Sequence, residues 1–315
     1  MRSAPVSRFL RVGIVVVLYV SLFASRGPDL DDAHSAARPS SVWRSDGLFA
    51  DRGAATIVEP APSVHETLAS TLQFMGAYES ASNLRAFVQD AVRQPGRGGA
   101  FYALMALSEC RAWQGAELEL AAEVVAHRSH AELVDRLGWV GLSDRRCASF
   151  VAADLDDSQV ADLYVRGRAQ GDPLVLAYLG WLDALEQGSV EALLAAMEGV
   201  LQNADPGLLR WIAATGPSFL VGGYGNAGSI DETSMRRRLD AWALLPCEFG
   251  ADCSRPDLGA GSPCIGAGLC AEGRRGFVLR TGPWANDEGR AALLAEVAAL
   301  KRAVLARDAH AVLGL

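Results

Sequence analysis

Lysine is almost missing from this chain: Lys301 stands alone among 29 lysine and arginine residues. That removes most Schiff-base, lysine-nucleophile and P-loop chemistry, each of which needs an ammonium at a defined place. No Cys-x-x-Cys occurs, so a thioredoxin-type redox role has no motif behind it. No nucleophile elbow occurs either. Gly141-Leu142-Ser143-Asp144-Arg145 and Gly216-Pro217-Ser218-Phe219-Leu220 both lack the final glycine that the strained turn requires. A basic stripe is absent and the formal charge is −8, a poor match to nucleic acid, whose affinity rests on neutralised phosphates. The densest basic spot, Arg236-Arg237-Arg238, reads as a solvated helix face.

Long apolar runs are also lacking. The best, Val12–Ala24, follows Arg2, Arg8 and Arg11 and is shorter than the roughly 20 residues a spanning helix needs. This is the layout of a secretory signal over residues 1–25. No clean Ala-x-Ala follows, and Ala33-His34-Ser35 lies late, so an uncleaved inner-membrane anchor at 12–24 remains the alternative. Residues 26–63 read as a disordered linker, rich in Ser, Ala, Asp, Arg and Pro and without a sustained apolar period. The rest is expected in the periplasm or outside the cell, touching a membrane only through its N-terminal segment.

What is present is cysteine, six in all. In an oxidising compartment an even number reads as disulfides. Cys110 and Cys147 are expected to pair, being far from the cluster Cys247-x5-Cys253-x10-Cys264-x5-Cys270. Within the cluster, local pairing of Cys247 with Cys253 and Cys264 with Cys270 competes with a crosswise arrangement. Gly250, Gly266 and Gly268 could supply the turns for local pairing. A four-cysteine zinc site is disfavoured, because structural zinc sites usually place paired ligands two to four residues apart.

From about residue 64 the apolar spacing is helical and β-branched alternation is scarce. Leu84, Phe87, Val88, Ala91 and Val92 form one stripe, ended by Gln94-Pro95-Gly96. A helix carrying Phe101, Leu104, Met105, Leu107 and Cys110 follows. Others are expected over about 116–137, ending near Gly138, and over 159–169. Gly171-Asp172-Pro173 supplies a stop, an N-cap and a first-turn proline. Gly188-Ser189 separates the next two helices, and Ala204-Asp205-Pro206 repeats the Asp-Pro start 33 residues after the first.

A period of that length with two helices per interval marks helix-turn-helix solenoids. The start Gln170-Gly171-Asp172-Pro173, with Ala177 and Gly180 inside the following helix, resembles the Sel-type branch of tetratricopeptide-related repeats over about residues 158–215. That resemblance implies close helix packing at small residues and a binding role. The layout as a whole is similar to that of exported helical proteins of proteobacteria. The Arg-rich start, Cys110 and Cys147, and Trp242-Ala243-Leu244-Leu245-Pro246-Cys247 before Gly250-Ala251-Asp252-Cys253 carry this resemblance, which implies a compartment and no activity.

The expected fold is therefore all-α. An irregular α/α, solenoid-like domain over 64–245 precedes a stapled Cys-rich excursion over 246–275, and a C-terminal helix within 276–315 packs back on the domain.

Several motifs tempt. Gly223-Tyr224-Gly225-Asn226-Ala227-Gly228 matches GxGxxG but lacks the βαβ context a dinucleotide site requires. His65-Glu66-Thr67-Leu68-Ala69 has alanine where a zinc protease needs its second histidine. His127 and His130 share a helix face with Glu123 and would need a third ligand from elsewhere to hold a metal. Asp154, Asp156 and Asp157 read as capping and dipole-complementing carboxylates. Glu109 and Asp183 are candidate carboxylates for glycoside hydrolysis. Trp113, Trp139, Trp181, Trp211 and Trp242 read as core, with a concave aromatic binding face as the alternative. No cofactor and no catalytic residue is assigned. The leading expectation is a non-catalytic interaction or scaffold protein of the cell envelope, with a protein or peptide partner. The alternatives are an envelope hydrolase with a dispersed carboxylate site and a metal-binding protein using His127 and His130.

Overall fold

The computed structural model describes residues 64–126, 130–215, 231–254, 273–280 and 282–315, all within the unit Asp51–Leu315. Among these residues every regular element is helical. The first are α1 (Val64–Ser80), α2 (Leu84–Ala91), α3 (Gly99–Ala126) and α4 (His130–Cys147). They are followed by α5 (Asp157–Ala169), α6 (Pro173–Gln187), α7 (Val190–Asn203) and α8 (Pro206–Thr215). The C-terminal part holds α9 (Glu232–Glu248), α10 (Arg274–Arg280), α11 (Asp287–Ala306) and α12 (Ala309–Leu313). Short 3₁₀ turns lie at Pro95–Arg97, Ala152–Leu155 and Gly282–Ala285. No described helix is long and apolar enough to cross a membrane. Residues 1–63, with the expected signal and linker, lie outside the described residues.

The local signals work as helix chemistry requires. Asn83, Asp156, Ser189, Asp231, Asn286 and Asp308 each accept a backbone N–H at the start of the helix they precede, satisfying donors that have no partner inside the helix. Leu84, Phe87, Val88 and Ala91 bury the expected stripe of α2. Gly188 ends α6 with φ +65°, a conformation that glycine enters without steric penalty.

One expectation fails in the middle. Instead of a separate helix over 116–137, α3 continues from Gly99 to Ala126, and α4 opens at His130 and runs past Gly138 to Cys147. Gly138 sits inside α4 with open space where a Cβ would be. A lone interior glycine lowers helix propensity by only about 1 kcal/mol, which packing elsewhere on the helix outweighs.

The core is organised around the first half of α3. Residues 100–107 are all buried, from Ala100 through Phe101, Tyr102 and Met105 to Leu107. A helix buried on every side must be surrounded. α1, α2, α4, α5 and α6 all pack on α3, while α7 packs on α6, and α9 packs on α8 and α11. The C-terminal region holds three helices rather than one, and α12 folds back onto α7 and α11.

The arginine run of α9 is not simply a solvated face. Arg238 pairs with Glu296 on α11 at 2.5 Å and donates to the carbonyls of Ala311 and Val312 at 2.8 Å. Its guanidinium satisfies carbonyls at the end of α12, where positive charge is favoured. Arg236 pairs with Asp240, which also accepts the indole N–H of buried Trp284 at 2.7 Å.

Candidate functional site

Two buried carboxylates meet the start of α3. Asp172 precedes Pro173, and its Oδ1 accepts N–H bonds from Leu174 and Val175 at 3.0 and 3.1 Å. Its Oδ2 accepts the N–H of Ala100 at 3.0 Å. One side chain thus caps two helices. Asp205 precedes Pro206 and accepts the Leu208 N–H at 2.9 Å and the Tyr102 hydroxyl at 2.9–3.0 Å. Both aspartates are 0% exposed. Burial pushes the Asp172 carboxyl up to about 7, against the pull of the backbone N–H groups that favour its anion. Burial, and then the charge of Asp205, push the Tyr102 hydroxyl well up.

The second polar cluster is tied to a disulfide. Cys110 of α3 pairs with Cys147 of α4, and the preceding residue on each helix, Glu109 and Arg146, faces the partner helix. Arg146 approaches Glu109 at 3.4 Å, donates to the Tyr78 carbonyl at 3.0 Å, and lies 5.3 Å from the centre of the Tyr78 ring. The Tyr78 hydroxyl donates to the other oxygen of Glu109. All three side chains are buried. Burial first, then Glu109, push the tyrosine pKa upward, so the phenol keeps its proton and serves as a donor. The cluster joins α1, α3 and α4 as a closed clamp.

The α5–α6 pair packs through its inner contacts and leaves two large apolar side chains exposed. A Cβ on Gly167 would lie 2.8 Å from Val175 and 3.1 Å from Ala100, so glycine is what lets α5 approach α6 and α3. Tyr164 stacks on Tyr178, and Tyr178 and Phe101 both meet the half-buried Trp211 edge-on at 5.0 and 5.3 Å. On the opposite faces of the two helices, Val165 is 56% and Leu176 45% exposed.

The structure places the sequence candidates as follows. Glu109 belongs to the clamp with Tyr78 and Arg146, whereas Asp183 is exposed on α6. Asp156 caps α5 and Asp157 lies in its first turn, as the acidic run suggested, while Asp154 accepts the Val151 N–H at 3.1 Å at the start of the 3₁₀ turn. Asp154 also pairs with Arg85 at 2.8 Å and Asp157 with Arg111. Ser143 is buried within α4. Trp113, Trp181 and Trp242 are core, and Trp113 donates to Asp144 at 2.8 Å. A Cβ on Gly180 would meet nothing within 4 Å, whereas the close approach between helices is at Gly167.

His130 opens α4, while its side chain, His127, the side chains of Glu123 and Trp139, the glycine motif at 223–228, Cys264 and Cys270 lie outside the described residues. So do the side chains of His65 and Glu66, although their backbone forms the first turn of α1. Among the described residues no three His, Cys, Asp or Glu side chains gather closely enough to share a metal ion.

Cys247 pairs with Cys253, the local arrangement. Gly250, with φ +106°, turns the chain back after α9. Sequence reasoning missed the second partner of each aspartate and the clamp. Capping rules see only neighbours in the chain, and a residue such as Tyr102 or Arg146 carries no local sign of its distant partner.

The described residues are thus all-helical in their regular elements and disulfide-bonded, with two buried polar clusters that meet on α3. Comparison with protein-family models, curated proteins and solved structures finds no match to the chain.

Proposed function

We propose that this is a non-catalytic interaction or scaffold protein of the bacterial cell envelope, exported beyond the cytoplasm and built on Sel-type helix pairs over residues 158–215. The observation that carries the reading is the two-sidedness of α5 and α6. Their inner faces are fixed to α3 by Gly167, Val175 and the buried Asp172, while Val165 and Leu176 stand exposed on the outside. Single exposed apolar residues are ordinary. Val165 and Leu176 stand on helices held by inner packing, and apolar side chains held in place lower the ordering cost of binding a partner. The disulfides are compatible with a periplasmic or extracellular location.

The test compares wild-type protein with the Val165→Asp, Leu176→Asp double variant as bait for chemical crosslinking in envelope extracts. The expected outcome is a partner retained by wild type and lost by the variant, with identical melting of both. Recovery of the same set by both, or of no partner under several salt and detergent conditions, would overturn the proposal.

A further inference from the structure

The two described disulfides sit in opposite surroundings. Cys110 and Cys147 are 0% and 5% exposed between α3 and α4. Cys253 is also buried, at 8%. Cys247 is half-buried on the last turn of α9. It lines a shallow depression with Leu244, Glu248, Arg275, Leu294 and Val297. Disulfide exchange proceeds by thiolate attack on a sulfur, so access and local charge decide which sulfur is attacked. Of the four cysteines in the two described bridges, Cys247 is the least buried. Among the described residues the one carboxylate on the depression, Glu248, is engaged by Lys301 at 3.1 Å, and the exposed Arg275 adds positive charge that favours an approaching anion.

The surrounding turn does not depend on the bridge alone. The Ala251 N–H bonds the Pro246 carbonyl at 3.1 Å, and the Asp252 N–H bonds the Glu79 carboxylate of α1 at 3.1 Å. The Arg275 N–H reaches the Cys253 carbonyl at 3.3 Å. Gly273 lies so close to Cys253 and Ser254 that a Cβ would sit 2.6 Å from either carbonyl oxygen. The bridge also spans only 6 positions against 37 for Cys110–Cys147. On chain entropy its loss therefore shifts the folding equilibrium roughly tenfold less.

We propose that Cys247–Cys253 is an exchange site for a dithiol, with Cys247 as the sulfur attacked. A thiolate of the dithiol forms a bond to Cys247 Sγ, the bond to Cys253 Sγ breaks, and Cys253 leaves as a thiolate that takes up a proton. The second thiol of the dithiol then attacks the first, closing its own disulfide and releasing Cys247, which is protonated in turn. The cystine gains two electrons and two protons, and the dithiol supplies both.

The full chain is treated with dithiothreitol under native conditions, alkylated at intervals and mapped by peptide mass spectrometry. Cys247 and Cys253 should be alkylated at least about tenfold faster than Cys110 and Cys147, with the helical circular dichroism unchanged. Treatment with oxidised glutathione after that selective reduction, and with reduced glutathione before it, should place the mixed disulfide on Cys247. Arg275→Glu should slow the reaction with reduced glutathione, whose thiolate form carries a net charge of about −2, by a larger factor than that with mercaptoethanol, whose thiolate carries about −1. Equal alkylation rates for both bridges, adducts first on Cys253, Cys264 or Cys270, or loss of helicity in step with alkylation would each overturn the proposal.

Discussion

Asp172 and Ala100, 72 positions apart in the chain, meet at 3.0 Å, so the carboxylate that opens α6 also opens α3. The arrangement explains why α3 can be buried on all sides at its beginning. The N-terminal N–H groups of a buried helix need acceptors, and here one comes from another helix's cap. Asp205 does the parallel service for the hydroxyl of Tyr102, two residues further along α3.

Replacing Asp172 by Ala leaves the N–H groups of Ala100, Leu174 and Val175 without their acceptor in the core. A loss of about 2–4 kcal/mol is expected, since each buried unsatisfied group costs about 1–3 kcal/mol and the region relaxes in part. Asp172→Asn should recover some of it. Urea midpoints of the three proteins check this, and a change under 0.5 kcal/mol would show that the double cap is energetically idle.

The same residue gives a pH dependence with a definite sign. Its folded carboxyl is pushed up to about 7, above the usual aspartate value of about 3.9. The folded state therefore holds more protons than the unfolded state between those values. This contribution to stability is complete below about pH 4 and is lost as pH rises through about 7. The melting temperature of wild type relative to Asp172→Asn should fall across that window, and parallel profiles would contradict it.

Two glycines should respond oppositely to alanine. Gly167→Ala forces a methyl to within 2.8 Å of Val175, and a cost of about 1–3 kcal/mol is expected from overpacking. Gly180→Ala meets nothing within 4 Å inside a helix and should stabilise by about 0.5–1 kcal/mol. Thermal melts of the two single variants decide.

The clamp should be strongly coupled. Arg146→Ala leaves Glu109 buried without its positive partner, with an expected loss of about 3–5 kcal/mol. Tyr78→Phe removes only the hydroxyl bond to Glu109 and should cost about 1–2 kcal/mol. A double-mutant cycle on Tyr78 and Arg146 by chemical denaturation should give a non-additive term above about 0.5 kcal/mol. Strict additivity would mean that the residues do not act together.

Several elements were legible because their physics is local. The Asp-Pro starts, the glycine stop at 188, the stripe of α2 and the short turn at Gly250 depend on residues within a few positions of one another. The sequence misled where a local signal was weak against packing. Gly138 looked like a terminus and is interior, because one poor residue costs a helix only about 1 kcal/mol. Gly180 looked like the contact glycine, but the contact is at Gly167, since only the placement of α3 against α5 decides which small residue is approached.

By itself, then, the sequence determined that the chain is helical, where most helices begin and end, and that its cysteines could serve as bridges. Those properties follow from capping, periodicity and spacing along the backbone. Only the tertiary structure decided that Asp172 and Asp205 converge on α3, that Glu109 is enclosed by Tyr78 and Arg146, and that one bridge is buried while the other presents Cys247. Burial and distant pairing are properties of how helices pack, and many side chains along each helix could have been brought to the same place.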